Sequence, residues 1–166
     1  MRPSGMLVFS FKPPPAGITV SEAGVPGVRG NAFRMYAEVS AAVQTSLAVA
    51  NVGATSGVVN FELFKLDGTS AAASASRTLP ADGHIAKSLQ ELFPSLILPF
   101  VGILRISGGP VSGMSVVGVR ARVNERGDYL ITTTPASNEA SPATNSELLI
   151  PRLVDGAGWT TQFILF

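Results

Sequence analysis

The sequence predicts an all-β protein, an antiparallel β-sandwich of immunoglobulin-like or jelly-roll-like kind with about ten strands and one short helix. Three observations carry this. Apolar and polar residues alternate in run after run, Gly, Pro, Asn and Asp cluster between the runs, and a single stretch switches to helical spacing.

The elements follow in chain order. Residues 6–11 (Met6-Leu7-Val8-Phe9-Ser10-Phe11) read as a strand, and residues 12–17, with Pro13-Pro14-Pro15, read as a stiff extended spacer before a strand over 18–23. The alternation is clearest at Phe33-Arg34-Met35-Tyr36-Ala37-Glu38-Val39, where one buried and one wet face are expected. A strand over 45–51 follows, then one setting Val59, Phe61 and Leu63 against Asn60 and Glu62. Asp67-Gly68 is turn chemistry, because Gly takes positive φ without strain and Asp bonds the nearby backbone. It leads into a strand over 71–79.

After Pro80-Ala81-Asp82-Gly83, the residues Ile85, Leu89, Leu92 and Phe93 recur at helical spacing until Pro94. This predicts a helix of about two turns, N-capped by Asp82, that plugs one open end of the sandwich. Strands are expected again over 101–107, then with Val117, Val119, Ala121 and Val123 inward against Arg120 and Arg122, and over 129–134. Gly108-Gly109-Pro110 and Arg126-Gly127-Asp128 are the turns between them. Residues 135–146, rich in Ser, Ala, Thr, Pro and Asn, read either as a crossover between sheets or as a joint between modules. Strands over 147–153 and 160–166 close the chain.

Leu149-Ile150-Pro151-Arg152-Leu153-Val154 and Thr161-Gln162-Phe163-Ile164-Leu165-Phe166 loosely echo Gly24-Val25-Pro26-Gly27-Val28-Arg29 and Thr45-Ser46-Leu47-Ala48-Val49-Ala50. Such an echo suits a segment of a tandem array or a subunit that lends a strand to its neighbour. The expected division is a module over 1–146, beginning with an extended segment, and terminal strands over 147–166 that start a next repeat or are exchanged.

Composition narrows the function. With 166 residues, 46% of them hydrophobic, 14% charged and a net charge of +1, the chain can bury a core and has no electrostatic footprint for nucleic acid or an anionic membrane. No apolar run reaches the roughly 18 residues of a membrane helix, so membrane insertion is not expected. Residues 1–5 lack the apolar stretch of a signal peptide, so either export is encoded upstream or Met1 is not native. Without Cys there is neither a disulfide nor a thiolate metal site, which leaves the compartment undecided.

Chemistry is sparse. His84 is the sole histidine and stands at a turn, no G-x-S-x-G pattern occurs, and the carboxylates are scattered, so no catalytic residue, cofactor or metal ligand is assigned. Asp67-Gly68, Asp82-Gly83 and Asp155-Gly156 are explained by turn geometry, with a calcium site gathered from separate loops left open. Arg126-Gly127-Asp128 matches an integrin-binding tripeptide but is equally what a hairpin tip requires. Arg120 and Arg122 suit a sugar-binding platform with Trp159, Tyr36 or Tyr129; the competing reading is a cross-strand ion-pair ladder. Phe163, Ile164, Leu165 and Phe166 form the candidate self-assembly strand, since an apolar edge left unpaired aggregates.

The run from Gly118 through Arg126-Gly127-Asp128-Tyr129 to Pro135 resembles uncharacterised β-rich modules of large secreted or cell-surface bacterial proteins, found beside immunoglobulin-like and fibronectin-like domains. Ser21-Glu22-Ala23-Gly24-Val25-Pro26, Phe33-Arg34-Met35-Tyr36, residues 45–51 and 79–94, and Asp155-Gly156-Ala157-Gly158-Trp159-Thr160-Thr161-Gln162-Phe163 resemble them too. The resemblance implies an exported, modular, non-enzymatic β-sandwich and supplies no site residues. In such modules the Trp-Thr-Thr strand continues into a turn and further strands, whereas here the sequence stops at Phe166.

The expected function is thus an extracellular or cell-surface structural or adhesive module, a fibre or surface-array subunit using terminal-strand exchange with neighbouring copies or modules. The alternative is a carbohydrate-binding module of a secreted enzyme, with glycans as partners.

Overall fold

A computed structural model describes residues 6–15, 17–109, 113–141 and 153–164. The protein is an antiparallel β-sandwich, made by folding one continuous ten-stranded sheet across itself. The fold lies between β4 (Ala32–Val39) and β5 (Val43–Asn51), which share a single residue pair, Val39 with Gln44, before diverging. Ser40 makes the corner, its Oγ accepting from the backbone N–H of Val43 at 3.1 Å.

On one side of the corner β5 pairs with β8 (His84–Ser88) and β10 (Met114–Val123). β10 in turn pairs with β3 (Val28–Gly30) at one end and β11 (Tyr129–Thr133) at the other. On the other side the order runs β4, β9 (Phe100–Gly108), β6 (Gly57–Lys65) and β7 (Ser70–Leu79), with β12 (Ser137–Asn138) on the free side of β4.

The alternation expected from the sequence fills the space between these layers. Phe33, Met35, Ala37 and Val39 are fully buried, as are Val59, Phe61 and Leu63, and Leu104 and Ile106 join them from β9. They meet Leu47, Val49, Met114 and Val116 from the opposite layer in one cluster. Each large side chain removed from water here contributes about 1.5–3 kcal/mol. Asp67-Gly68 and Arg126-Gly127-Asp128 form the expected turns, Gly68 and Gly127 each at φ 82°. The Oδ1 of Asp67 accepts from Thr69 N at 2.8 Å, and that of Asn124 accepts from Asp128 N at 2.8 Å.

Several expectations need correction. The helix expected from Ile85 onward begins only at α1 (Leu89–Leu92); Ile85 belongs to β8, because the free edge of β5 offers residues 84–88 a full ladder. Asp82 sits at φ 52°, a left-handed conformation unlike that of an N-cap, and Ser88 takes the role in a capping box with Glu91. Leu89, Leu92 and Phe93 still close the core, over fewer helical residues.

On β10, Val117, Val119 and Ala121 line a groove on the outer side of the layer, while Met114 and Val116 are the residues that enter the core. A strand covered on both faces shows no clean alternation, so the inner face could not be read from its polarity. Val123 is 44% exposed.

The outer face is covered by a two-stranded hairpin of β1 (Met6–Phe11) and β2 (Ser21–Pro26). β2 therefore starts three residues later than the strand expected over 18–23. The Pro13-Pro14-Pro15 segment is no straight spacer either, since the chain must reverse for Phe11 to pair with Ser21. The hairpin is fixed to β11 by Ser21, whose Oγ accepts from Ile131 N at 2.7 Å and donates to Ile131 O at 3.3 Å. Phe11 meets Tyr129 in a tilted pair with ring centroids 4.8 Å apart, and Phe9 and Phe11 line the same groove as Val117, Val119 and Ala121.

Candidate functional site

Thr45 is fully buried on β5 and stitches the diverging corner together. Its Oγ1 donates to Glu38 O and accepts from Glu38 N, both at 2.9 Å. This holds Glu38 where Arg120, opposite Thr45 on β10, reaches its Oε2 with Nε at 2.9 Å and Nη2 at 2.8 Å. The Tyr36 hydroxyl donates to the same oxygen at 3.3 Å. Burial and the Glu38 charge push the Tyr36 phenol above its ordinary value, so it remains a neutral donor. The cluster is a closed ion pair with its charge spent internally.

Arg122 turns elsewhere, to Glu125 at 2.6 Å within its own hairpin. Trp159 lies in the 153–164 segment, 68% exposed, where its backbone N–H and C=O pair with Gly156. Among the described residues no hydrogen bond or ring contact joins it to Arg120 or Arg122. Arg120 with Glu38 instead makes the cross-layer counterpart of the ion-pair ladder.

A larger charged network lies on the outer side of the β4–β9–β6–β7 layer. Arg34, Arg105 and Glu62 sit side by side on three neighbouring strands. Glu139 bridges the two guanidiniums, its Oε1 accepting from Arg34 Nε at 2.8 Å and Arg105 Nε at 2.9 Å. Arg105 also reaches Glu62 at 3.0 Å, and the Arg34 guanidinium lies 5.6 Å above the Phe64 ring. Hydrogen bonding from Arg105 holds the Glu139 carboxyl below its ordinary value. Sequence reasoning missed this network because 34, 62, 105 and 139 are neighbours only through the strand order.

The remaining motifs lie at a turn and at a strand end. In Arg126-Gly127-Asp128 the Asp128 carboxylate is engaged by Asn124 Nδ2 at 2.9 Å and by Arg126 at 3.3 Å. His84 is exposed at the start of β8, opposite Ala50. Among the described residues no three His, Cys, Asp or Glu side chains gather as a metal site, and no helix is long and apolar enough to cross a membrane.

The candidate assembly strand is only partly described, Leu165 and Phe166 lying outside the described residues. Residues 160–164 form no strand, contrary to expectation, and Phe163 is 51% exposed. The described part of the segment bonds within itself, Thr161 Oγ1 donating to Val154 O at 2.7 Å and accepting from Val154 N at 3.1 Å. A strand needs a partner ladder, and the described sheets are built from residues 6–138. The expected strand over 147–153 falls outside the described residues except for Leu153, which is 64% exposed.

Comparison with protein-family models, with curated proteins and with solved structures finds no match for this chain.

Proposed function

We propose that the protein is a non-enzymatic structural module of a secreted or cell-surface assembly, in which its apolar terminal segment pairs with a neighbouring copy or module. One observation carries this reading. The described core is drawn from residues 25–136, while the segment beyond carries Leu153, Trp159 and Phe163 exposed at 64, 68 and 51%. Three large apolar side chains on a stretch whose one charged residue is Asp155 leave surface that association can bury. The secreted setting rests on the resemblance to modular bacterial surface proteins and on the repeat-like echo around residues 149–166.

The test is solution mass by light scattering across a concentration series, comparing the full chain with one truncated before Thr160. The reading expects the full chain to grow in mass with concentration while the truncated chain stays monomeric. Monomers from both chains at every concentration would overturn it.

A further inference from the structure

The proposed assembly requires an acceptor, and one edge of the sandwich has the features of one. β7 pairs with β6 on one side and, among the described residues, with no strand on the other. Its inward side chains, Ala71, Ala73 and Ala75, are small and only partly buried. Beyond them the chain following α1 stands away from the strand, leaving an open groove of about 610 Å³. Its floor is closed by the buried Leu92, Phe93 and Phe100, while Leu96 and the alanines of β7 stay partly open and Lys65 and Ser95 share the lining. Ile97 stands at the rim, 86% exposed.

Edge strands are ordinarily blunted by charge, proline or irregularity. β7 has a single charged residue, Arg77, and no proline. Its one irregularity lies at Ala72, at φ 54°, where the register with β6 slips between Leu63 and Phe64. From Ala73 to Leu79 the pairing with β6 is regular, so its other side presents a usable edge.

The same chain carries a segment of matching chemistry. Thr161-Gln162-Phe163-Ile164-Leu165-Phe166 has no charge, Gly or Pro, and ends in four large apolar residues. Its six residues fit within the regular stretch 73–79. Added as a strand, it would satisfy the backbone of β7 and turn alternate side chains toward the groove and Ile97 at its rim, as in β-strand addition.

We infer that the free edge of β7 and its adjoining groove are the acceptor for residues 161–166 of a second copy of this chain. The inference rests on the assembly reading above and adds the place where assembly occurs.

The chain has no cysteine, so introduced thiols report on a clean background. Full-length Ile97→Cys and Phe163→Cys chains, both altered at exposed positions, are mixed under mild oxidation beside a control pairing Arg126→Cys with Phe163→Cys. The expected result is a 97–163 bridged heterodimer in about tenfold excess over the control, with Ile97→Asp weakening association of the otherwise unaltered chain about tenfold. If the chain associates in light scattering but the bridge forms no faster than the control, the acceptor lies elsewhere and the inference is overturned while the assembly reading stands. If a chain carrying both Ile97→Cys and Phe163→Cys closes within itself at high dilution, the segment folds back and a second copy is not the occupant. Monomers at all concentrations would overturn both.

Discussion

Replacing Asn51 tests whether the polar end of β5 is held as the geometry indicates. Asn51 is 3% exposed, and its side chain makes three hydrogen bonds: Nδ2 donates to Thr55 O at 2.7 Å and to Pro80 O at 2.8 Å, and Oδ1 accepts from Gly53 N at 2.9 Å. These tie the loop after β5 to the turn between β7 and β8. Asn51→Leu keeps the branched shape at a larger volume and strands two carbonyls and one N–H. At a net 0.5–1.5 kcal/mol for each bond, the loss should be about 3 kcal/mol. For a chain of this size that lowers Tm by roughly 6–12 °C. Asn51→Asp should be at least as damaging, because it keeps the Gly53 contact but points carboxylate oxygen at two carbonyls. Urea and thermal unfolding followed by far-ultraviolet circular dichroism is the assay, since the sole Trp is exposed and reports poorly on the core. A loss below about 1 kcal/mol for Asn51→Leu would refute the argument, showing that the loop re-satisfies its groups without the side chain.

Other perturbations follow from packing and charge. A Cβ at Gly118 would lie 2.5 Å from the Thr134 carbonyl oxygen and collide with the Met35 methyl, so Gly118→Ala should destabilise by about 1–3 kcal/mol; an unchanged melting curve would contradict the close approach of β10 to Met35. Hydrogen bonds from Ser88 and Lys87 hold the Glu91 carboxyl at about 2, against an ordinary 4.5. A depressed folded value means that its contribution is complete above pH 4.5 and is lost as the pH falls toward 2. Urea midpoints at a series of pH values should therefore fall across this window, and less steeply in Glu91→Gln; equal slopes would refute the capping role.

The Thr45–Glu38–Arg120 corner and the Arg34–Glu139–Arg105–Glu62 network show how the charge of this chain is spent. Both pair their charges within the fold, and Glu139 does so from beyond the short β12, tying that end of the described chain to the outer face. Exposed apolar side chains lie elsewhere, at Ile97 beside β7, on the hairpin at Met6, Leu7 and Val8, and in the terminal segment.

The sandwich class, the core residues of β4 and β6, and the turns at Asp67-Gly68 and Gly127 were legible in the sequence because each rests on local physics. A period of two fixes which side chains share a face, and Gly or Asp stabilises a reversal wherever it stands. The tertiary structure alone decided the rest. Residues 84–88 became a strand because β5 had an open edge, an opportunity that lies more than thirty positions away in sequence at Ala50 and His84. Which face of β10 entered the core depended on the opposing layer, since the hairpin over its other face buries Val117 equally well. The ion-pair partners, and the groove beside β7, come from strand order and from the path of the chain after α1. Alternation tells a residue which neighbours it shares a face with, but only the assembled fold determines what that face meets.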